Sequence, residues 1–154
     1  MRGAGKRTQR PKLLVIHGPN LNMLGKRDSS LYGTKTLREI NNSIEERAQA
    51  LGVEAVCFQS NSEGVLIDFI QENTPGARGI IINPGALTHY GLSLRDALED
   101  AALPVVEVHL SNICAREEWR AESVIAPIAM GQVSGLGWWG YIAALEFIHK
   151  ESAG

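Results

Sequence analysis

The sequence predicts one α/β domain: a parallel sheet of five strands with helices on both of its faces. Three observations lead there. Strand and helix signals alternate five times within 154 residues. The strand signals are short apolar runs, such as Leu13 to Ile16, that suit strands buried in a sheet. The segments between them repeat apolar residues at helical spacing and carry their own start and stop signals. The common solution for five such units is the strand order 2-1-3-4-5, the flavodoxin-like three-layer sandwich, whose switch point lies between strands 1 and 3. Ligands of such sheets bind beyond the carboxyl ends of the strands, so a site is expected in the loops after strands 1, 3 and 4.

The first strand, Leu13 to Ile16, opens into a long loop carrying His17, Asn20, Asn22, Lys26, Arg27 and Tyr32. Thr36-Leu-Arg-Glu39 then forms a capping box, and Leu37, Ile40, Ile44, Ala48 and Leu51 recur at helical spacing until Gly52 stops the helix. Val53 to Gln59 is the second strand. Ser60-x-x-Glu63 is a second capping box, opening a helix with Val65, Leu66, Phe69 and Ile70 on its inner face, which ends before Pro75. Gly79 to Asn83 is the third strand, turned by Pro84-Gly85. The next helix, Leu92 to Ala102, ends before Pro104, and Val105 to Leu110 is the fourth strand. Ser111 to Ala129 reads as irregular with one helical turn. Met130 to Ser134 is a short fifth strand. Trp138 to Lys150 is the closing helix, with Trp138, Tyr141, Ile142, Leu145 and Ile148 at helical spacing.

The totals bound the function. Hydrophobic content of 44% and charged content of 21% are those of a soluble globular protein. Apolar runs are too short to span a membrane, and no signal-peptide core precedes the first strand. Cys57 and Cys114 are too few for a disulfide framework and too far apart for a zinc knuckle, which suits reduced thiols in a cytoplasmic protein. The first twelve residues carry five Lys or Arg and no acid. Residues 1–12 are read as a disordered, solubilising tail before a domain spanning 13–150, in preference to a nucleic-acid arm or a targeting peptide. The remaining chain is net acidic, which argues against nucleic acid as the main partner.

Arg27 and Tyr32 matter most for chemistry. A cation close to a phenol favours the phenolate, and a phenolate is a strong base. After strand 3, Pro84-Gly85 can turn backbone N–H groups toward a ligand, or the segment is a plain turn with Thr88 as a helix cap. After strand 4, Glu107 and His109 stand two apart on one face, where a carboxylate can fix an imidazole's tautomer. Arg116 and Arg120 align at i, i+4 spacing and either bind an anion or form a solvated charged turn. Gly135-Leu-Gly137-Trp-Trp-Gly140 matches a dinucleotide fingerprint but lacks the following strand and the ribose-holding acid, so its glycines are read as turn and packing residues. No metal-ligand spacing links His17, His89 and His109, and no lysine falls inside a predicted strand, so neither a metal nor a Schiff base is expected. A phosphorylated receiver would need acids where His17-Gly18 and Asn83 stand.

These loops resemble a known family. IHGPNLNMLGKRDSSLYG, FQSNSEG, IINPGALTHYGLSLRDAL, VEVHLSNICAREEWR and IAMGQVSGLGWWGYIAAL, in this order across Leu13 to Lys150, are similar to the type II 3-dehydroquinate dehydratases, or type II dehydroquinases. Cys114 and Trp119 depart from it, standing where relatives often have His or Tyr, and Phe. The resemblance implies anti elimination of water from 3-dehydroquinate to 3-dehydroshikimate through an enolate, in the shikimate pathway or in quinate breakdown. It implies Tyr32 as the base at carbon 2, with Arg27 holding that phenolate charged. It implies His109 as the acid for the hydroxyl leaving carbon 1, and Asn20 positioning a water or the enolate oxygen. Asn83, His89, the Leu110–Ser111 segment and Arg120 would bind the substrate's hydroxyls and carboxylate. Asp96 would reach a neighbouring subunit's site, because the family assembles as trimers packed into dodecamers. No cofactor, nucleic acid or membrane is implied. The rival of another class is a non-catalytic flavodoxin-like module that binds a nucleotide or other anion through its first loop, and a bound flavin would colour it.

Overall fold

The strands form where apolar runs can be covered on both faces. In the computed structural model, which describes residues 9–152, they are β1 (Lys12–His17), β2 (Glu54–Gln59), β3 (Ala77–Asn83), β4 (Val105–His109) and β5 (Gly131–Ser134). All pair in parallel in the order 2-1-3-4-5, as the element count predicts. Residues 1–8, the greater part of the expected tail, lie outside the described residues. Lys12 opens β1 rather than closing the tail, at the end of the strand away from the loops that matter.

Alternation along β1 builds the three layers. Leu13 and Val15 join Ile44, Val108, Tyr141 and Leu145 in one core, under α2 (Leu37–Ala50) and α5 (Trp139–Ser152). Leu14 and Ile16 join Leu66, Ile82 and Leu98 in the other, under α3 (Glu63–Asn73) and α4 (Leu92–Asp100). A fifth helix, α1 (Ser29–Tyr32), is a single turn within the loop after β1. Among the described residues no helix is long and apolar enough to cross a membrane.

Local signals explain most of the boundaries. The predicted capping box starts α2: Thr36 Oγ1 accepts from the Glu39 N–H at 3.2 Å, and Glu39 Oε2 accepts from the Thr36 N–H at 3.0 Å. Such a cap contributes about 1 kcal/mol. The second box does not form. Ser62 caps α3 by accepting from the Val65 N–H, while Ser60 Oγ accepts from the Ser62 N–H and Glu63 Oε1 accepts from the Leu94 N–H of α4. Consequently Val65 faces outward, while Leu66 and Ile70 are buried and Phe69 is half-buried. The expected α4 stops two residues early, and Ser111 to Ala129 holds three 3₁₀ turns rather than one helical turn: Ile113–Ala115, Glu118–Arg120 and Ala126–Ile128.

Glycines let the loops at the carboxyl edge interlock. A Cβ on Gly18 would stand 2.3 Å from the Pro84 carbonyl oxygen, and one on Gly85, at φ +60°, would stand 2.9 Å from the Pro19 oxygen. The loops after β1 and β3 therefore pack backbone to backbone. The dinucleotide-like glycines serve geometry instead: Gly137 turns at φ +58°, and a Cβ on Gly140 would touch Val108 and Val133.

Candidate active site

Tyr32 is delivered by a one-turn helix. Asp28 caps α1 by accepting from the Ser30 N–H at 2.9 Å, and Tyr32 ends it before Gly33 turns away at φ +75°. The turn folds Tyr32 back onto Arg27, whose Nη2 donates to Tyr32 Oη at 3.0 Å. The guanidinium carbon lies 3.8 Å from the ring centre. Sequence spacing finds this pair and misses its third member. Arg116 Nη1 donates to the same phenol oxygen at 2.8 Å and to Ser111 Oγ at 3.2 Å. Two cationic donors on one phenol oxygen are the arrangement that stabilises a phenolate.

Arg116 and Arg120 do not share a helical face as their spacing suggests. Arg116 precedes the Glu118–Arg120 turn and points its side chain inward at 13% exposure, which overturns the solvated-turn reading for it. Arg120 donates through Nε to Glu117 Oε2 at 2.6 Å and lies 4.0 Å above the Trp119 ring. Both guanidiniums line the same cleft.

The second chemical centre sits at the end of β4. Glu107 is fully buried, and burial alone would push its carboxyl up. Hydrogen bonds from His109, Thr88 and Ser123, with the His109 charge, outweigh that and hold it below the usual carboxylate value. An ionised carboxylate only accepts, so His109 Nε2–H donates to Glu107 Oε1, at 2.9 Å. No described residue bonds His109 Nδ1, and the ring lines the cleft. The expectation of a carboxylate-fixed imidazole holds. Thr88 is no helix cap: buried, it donates to Glu107, and Gly91 stands at the start of α4.

Asn20, Asn83, His89, Leu110 and Ser111 complete the wall. Asn20 takes a left-handed backbone at φ +70°, which Asn tolerates better than most residues, and its N–H donates to Asn61 Oδ1 at 3.0 Å. Gln59 Nε2 braces the same loop through the Gly18 carbonyl and Asn61 Oδ1. Gln59 at the end of β2 and Asn61 just beyond it thus brace the loop after β1, a role the switch-point rule does not assign them. His89 Nδ1 bonds the Glu122 carbonyl oxygen at 2.7 Å, which makes that nitrogen the protonated one. The lining holds three arginines and no Asp or Glu, so a net acidic protein presents a cationic cleft.

The family model described as "Dehydroquinase class II" matches residues 11–149. The 3-dehydroquinate dehydratase of Roseiflexus castenholzii is 61% identical over 137 residues, covering 89% of this chain and 87% of that protein. That of Herpetosiphon aurantiacus is 55% identical, covering 92% and 99%. The crystal structure of type II dehydroquinase from Butyrivibrio crossotus is 45% identical at a TM-score of 0.88, covering 90% of this chain and 97% of that one. The chain belongs to the class II dehydroquinase family. In this dehydroquinase Asp96 is exposed on α4 and does not line the cleft. Cys114 is exposed, between the cleft-lining Ile113 and Arg116. Trp119 lies with its ring edge-on to His89 at 5.1 Å and beneath Arg120, against both. Among the described residues no group of three His, Cys, Asp or Glu is arranged to hold a metal ion.

Proposed function

We propose that this dehydroquinase converts 3-dehydroquinate to 3-dehydroshikimate by anti elimination through an enolate, with Tyr32 as base and His109 as acid. The observation that carries the assignment is the Tyr32 hydroxyl, which receives two guanidinium donors in the same cleft as a carboxylate-held imidazole. The Tyr32 phenolate takes the proton from carbon 2, and the C–H electron pair passes into an enolate. Asn20 positions a water or its own amide against the enolate oxygen. As the enolate collapses, the bond from carbon 1 to its hydroxyl breaks, and protonated His109 supplies the proton that makes the leaving group water. Each positioned proton transfer contributes about 10²–10⁴-fold, and a donor at the oxyanion about 10²–10³-fold. Base and acid are side chains, and the oxyanion donor is Asn20 or a water it holds, so the elimination needs no cofactor.

Asn83, His89, Leu110, Ser111 and Arg120 hold the hydroxyls and carboxylate of 3-dehydroquinate, and the acid-free, arginine-rich lining supports an anionic substrate. The enzyme serves the shikimate pathway toward aromatic amino acids in the cytoplasm, where the free Cys57 and Cys114 suit a reducing compartment. Burial pushes the Cys57 thiol up to about 12, so it stays protonated there. Subunits form trimers packed into a dodecamer, and Asp96 acts at a neighbour's site. Exposed Tyr90 and Leu92, beside Asp96 at the start of α4, support a covering subunit there.

Ultraviolet absorbance of the conjugated enone tests the activity. Purified protein incubated with 3-dehydroquinate develops that absorbance, and continues to do so with excess chelator. A protein that leaves 3-dehydroquinate unchanged, or that arrives coloured by flavin, would be the binding module instead.

A further inference from the structure

Beneath the cleft lies a row of hydrogen-bonded polar side chains whose middle members, His17 and Tyr141, touch no solvent and take no part in the chemistry above. His17 and Tyr141 are both 0% exposed, in a region otherwise made of Val15, Val108 and Leu145. His17 Nε2 lies 2.7 Å from Asn41 Oδ1 of α2, and its Nδ1 lies 2.8 Å from Tyr141 Oη of α5. Tyr141 Oη in turn accepts from Asn83 Nδ2 at 3.1 Å, and Asn83 Oδ1 accepts from the Gly85 N–H at 3.1 Å.

Only one polarity satisfies every member. A backbone N–H can only donate, so Asn83 must turn its oxygen to Gly85 and its amide nitrogen to Tyr141. Tyr141 therefore receives a proton from Asn83 and must give its own to His17 Nδ1. That makes Nε2 the protonated ring nitrogen, which then donates to Asn41 Oδ1. Reversing the histidine tautomer would aim two donors at the phenol and leave its proton without an acceptor. The chain runs Gly85, Asn83, Tyr141, His17, Asn41 with no free choice. It leaves Asn83 one amide proton, at the wall of the cleft.

We propose that His17 and Tyr141 are positioning residues for the reaction, fixing which way the Asn83 carboxamide faces and so presenting an N–H rather than a carbonyl to substrate. An apolar pair would fill the same volume without directing that amide. The inference rests on the reading of Asn83 as a substrate-binding residue.

A double-mutant cycle tests it. Tyr141→Phe keeps the ring and removes the hydroxyl, so kcat/KM for 3-dehydroquinate falls about tenfold, the worth of one organising hydrogen bond. In an Asn83→Ala background the same change leaves kcat/KM unaltered, although the melting temperature falls in both backgrounds. His17→Leu removes the acceptor for Tyr141 and lowers kcat/KM as far as Tyr141→Phe does. His17→Gln restores an acceptor oxygen and recovers most of the activity. Equal fold-losses for Tyr141→Phe with and without Asn83, or equal losses for His17→Leu and His17→Gln, would overturn the positioning role. An Asn83→Ala enzyme with wild-type kinetics would instead remove the substrate-binding role of Asn83, and the proposal with it.

Discussion

The buried histidine makes stability depend on pH in a window where few side chains titrate. Burial lowers His17 from 6.5 to about 4, against an opposing upward pull from its hydrogen bond to Asn41. Between those values the unfolded chain binds a proton that the folded protein refuses, so falling pH favours unfolding. The contribution is fully present above 6.5 and is lost as pH falls toward about 4. At ~1.36 kcal/mol per pH unit, moving from about pH 7.5 to about pH 4.5 removes roughly 2.5 kcal/mol through this one group. His17→Gln cannot titrate. Glu107, whose carboxyl sits below its ordinary 4.5, also withdraws stability at still lower pH, but does so in both proteins. Urea unfolding followed by tryptophan fluorescence, at both pH values and one protein concentration, measures the difference. Wild type should lose about 2.5 kcal/mol more than His17→Gln. Equal losses would show that His17 titrates as an exposed histidine does, and that the buried row is not as described.

Arg116→Ala removes a charged donor to Tyr32 Oη and should lower kcat by about 10²-fold; a steady-state assay with unchanged kcat would return Arg116 to a surface role. Arg27→Ala removes the other guanidinium donor to Tyr32 Oη and should lower kcat by about 10²-fold; an unchanged kcat would separate Arg27 from the base. Glu107→Gln removes the carboxylate that orients the His109 ring, so kcat should fall by about 10²-fold while substrate affinity by calorimetry stays near wild type. Asp96→Ala should weaken substrate binding in a particle that light scattering sizes as a dodecamer. An active monomer would dismiss the shared site.

The sheet order and the three loops that build the cleft were legible because they follow from local signals, namely the Thr36–Glu39 box, the stop at Gly52 and the apolar runs. The Arg27–Tyr32 pair was legible because five residues and one helical turn separate its members. What stayed hidden depends on distance in sequence. Arg116 meets Tyr32 across 84 positions, and its i, i+4 relation to Arg120 suggested a helix that three 3₁₀ turns replace. Thr88 looks like a cap until Glu107 arrives from β4 to claim its hydroxyl. Ser60 reads as the cap of a box with Glu63, but Glu63 is bonded to the start of α4 and Ser62 caps the helix instead.

The proposed elimination stands on Tyr32 as the base. Tyr32→Phe keeps the ring between Arg27 and Arg116 and removes only the oxygen on which both converge. Measuring kcat by enone absorbance, and 3-dehydroquinate affinity by calorimetry, separates chemistry from binding. With Tyr32 as the base, kcat falls at least ~10²-fold, with affinity much less changed. Turnover near wild type would contradict it and place the base on another residue.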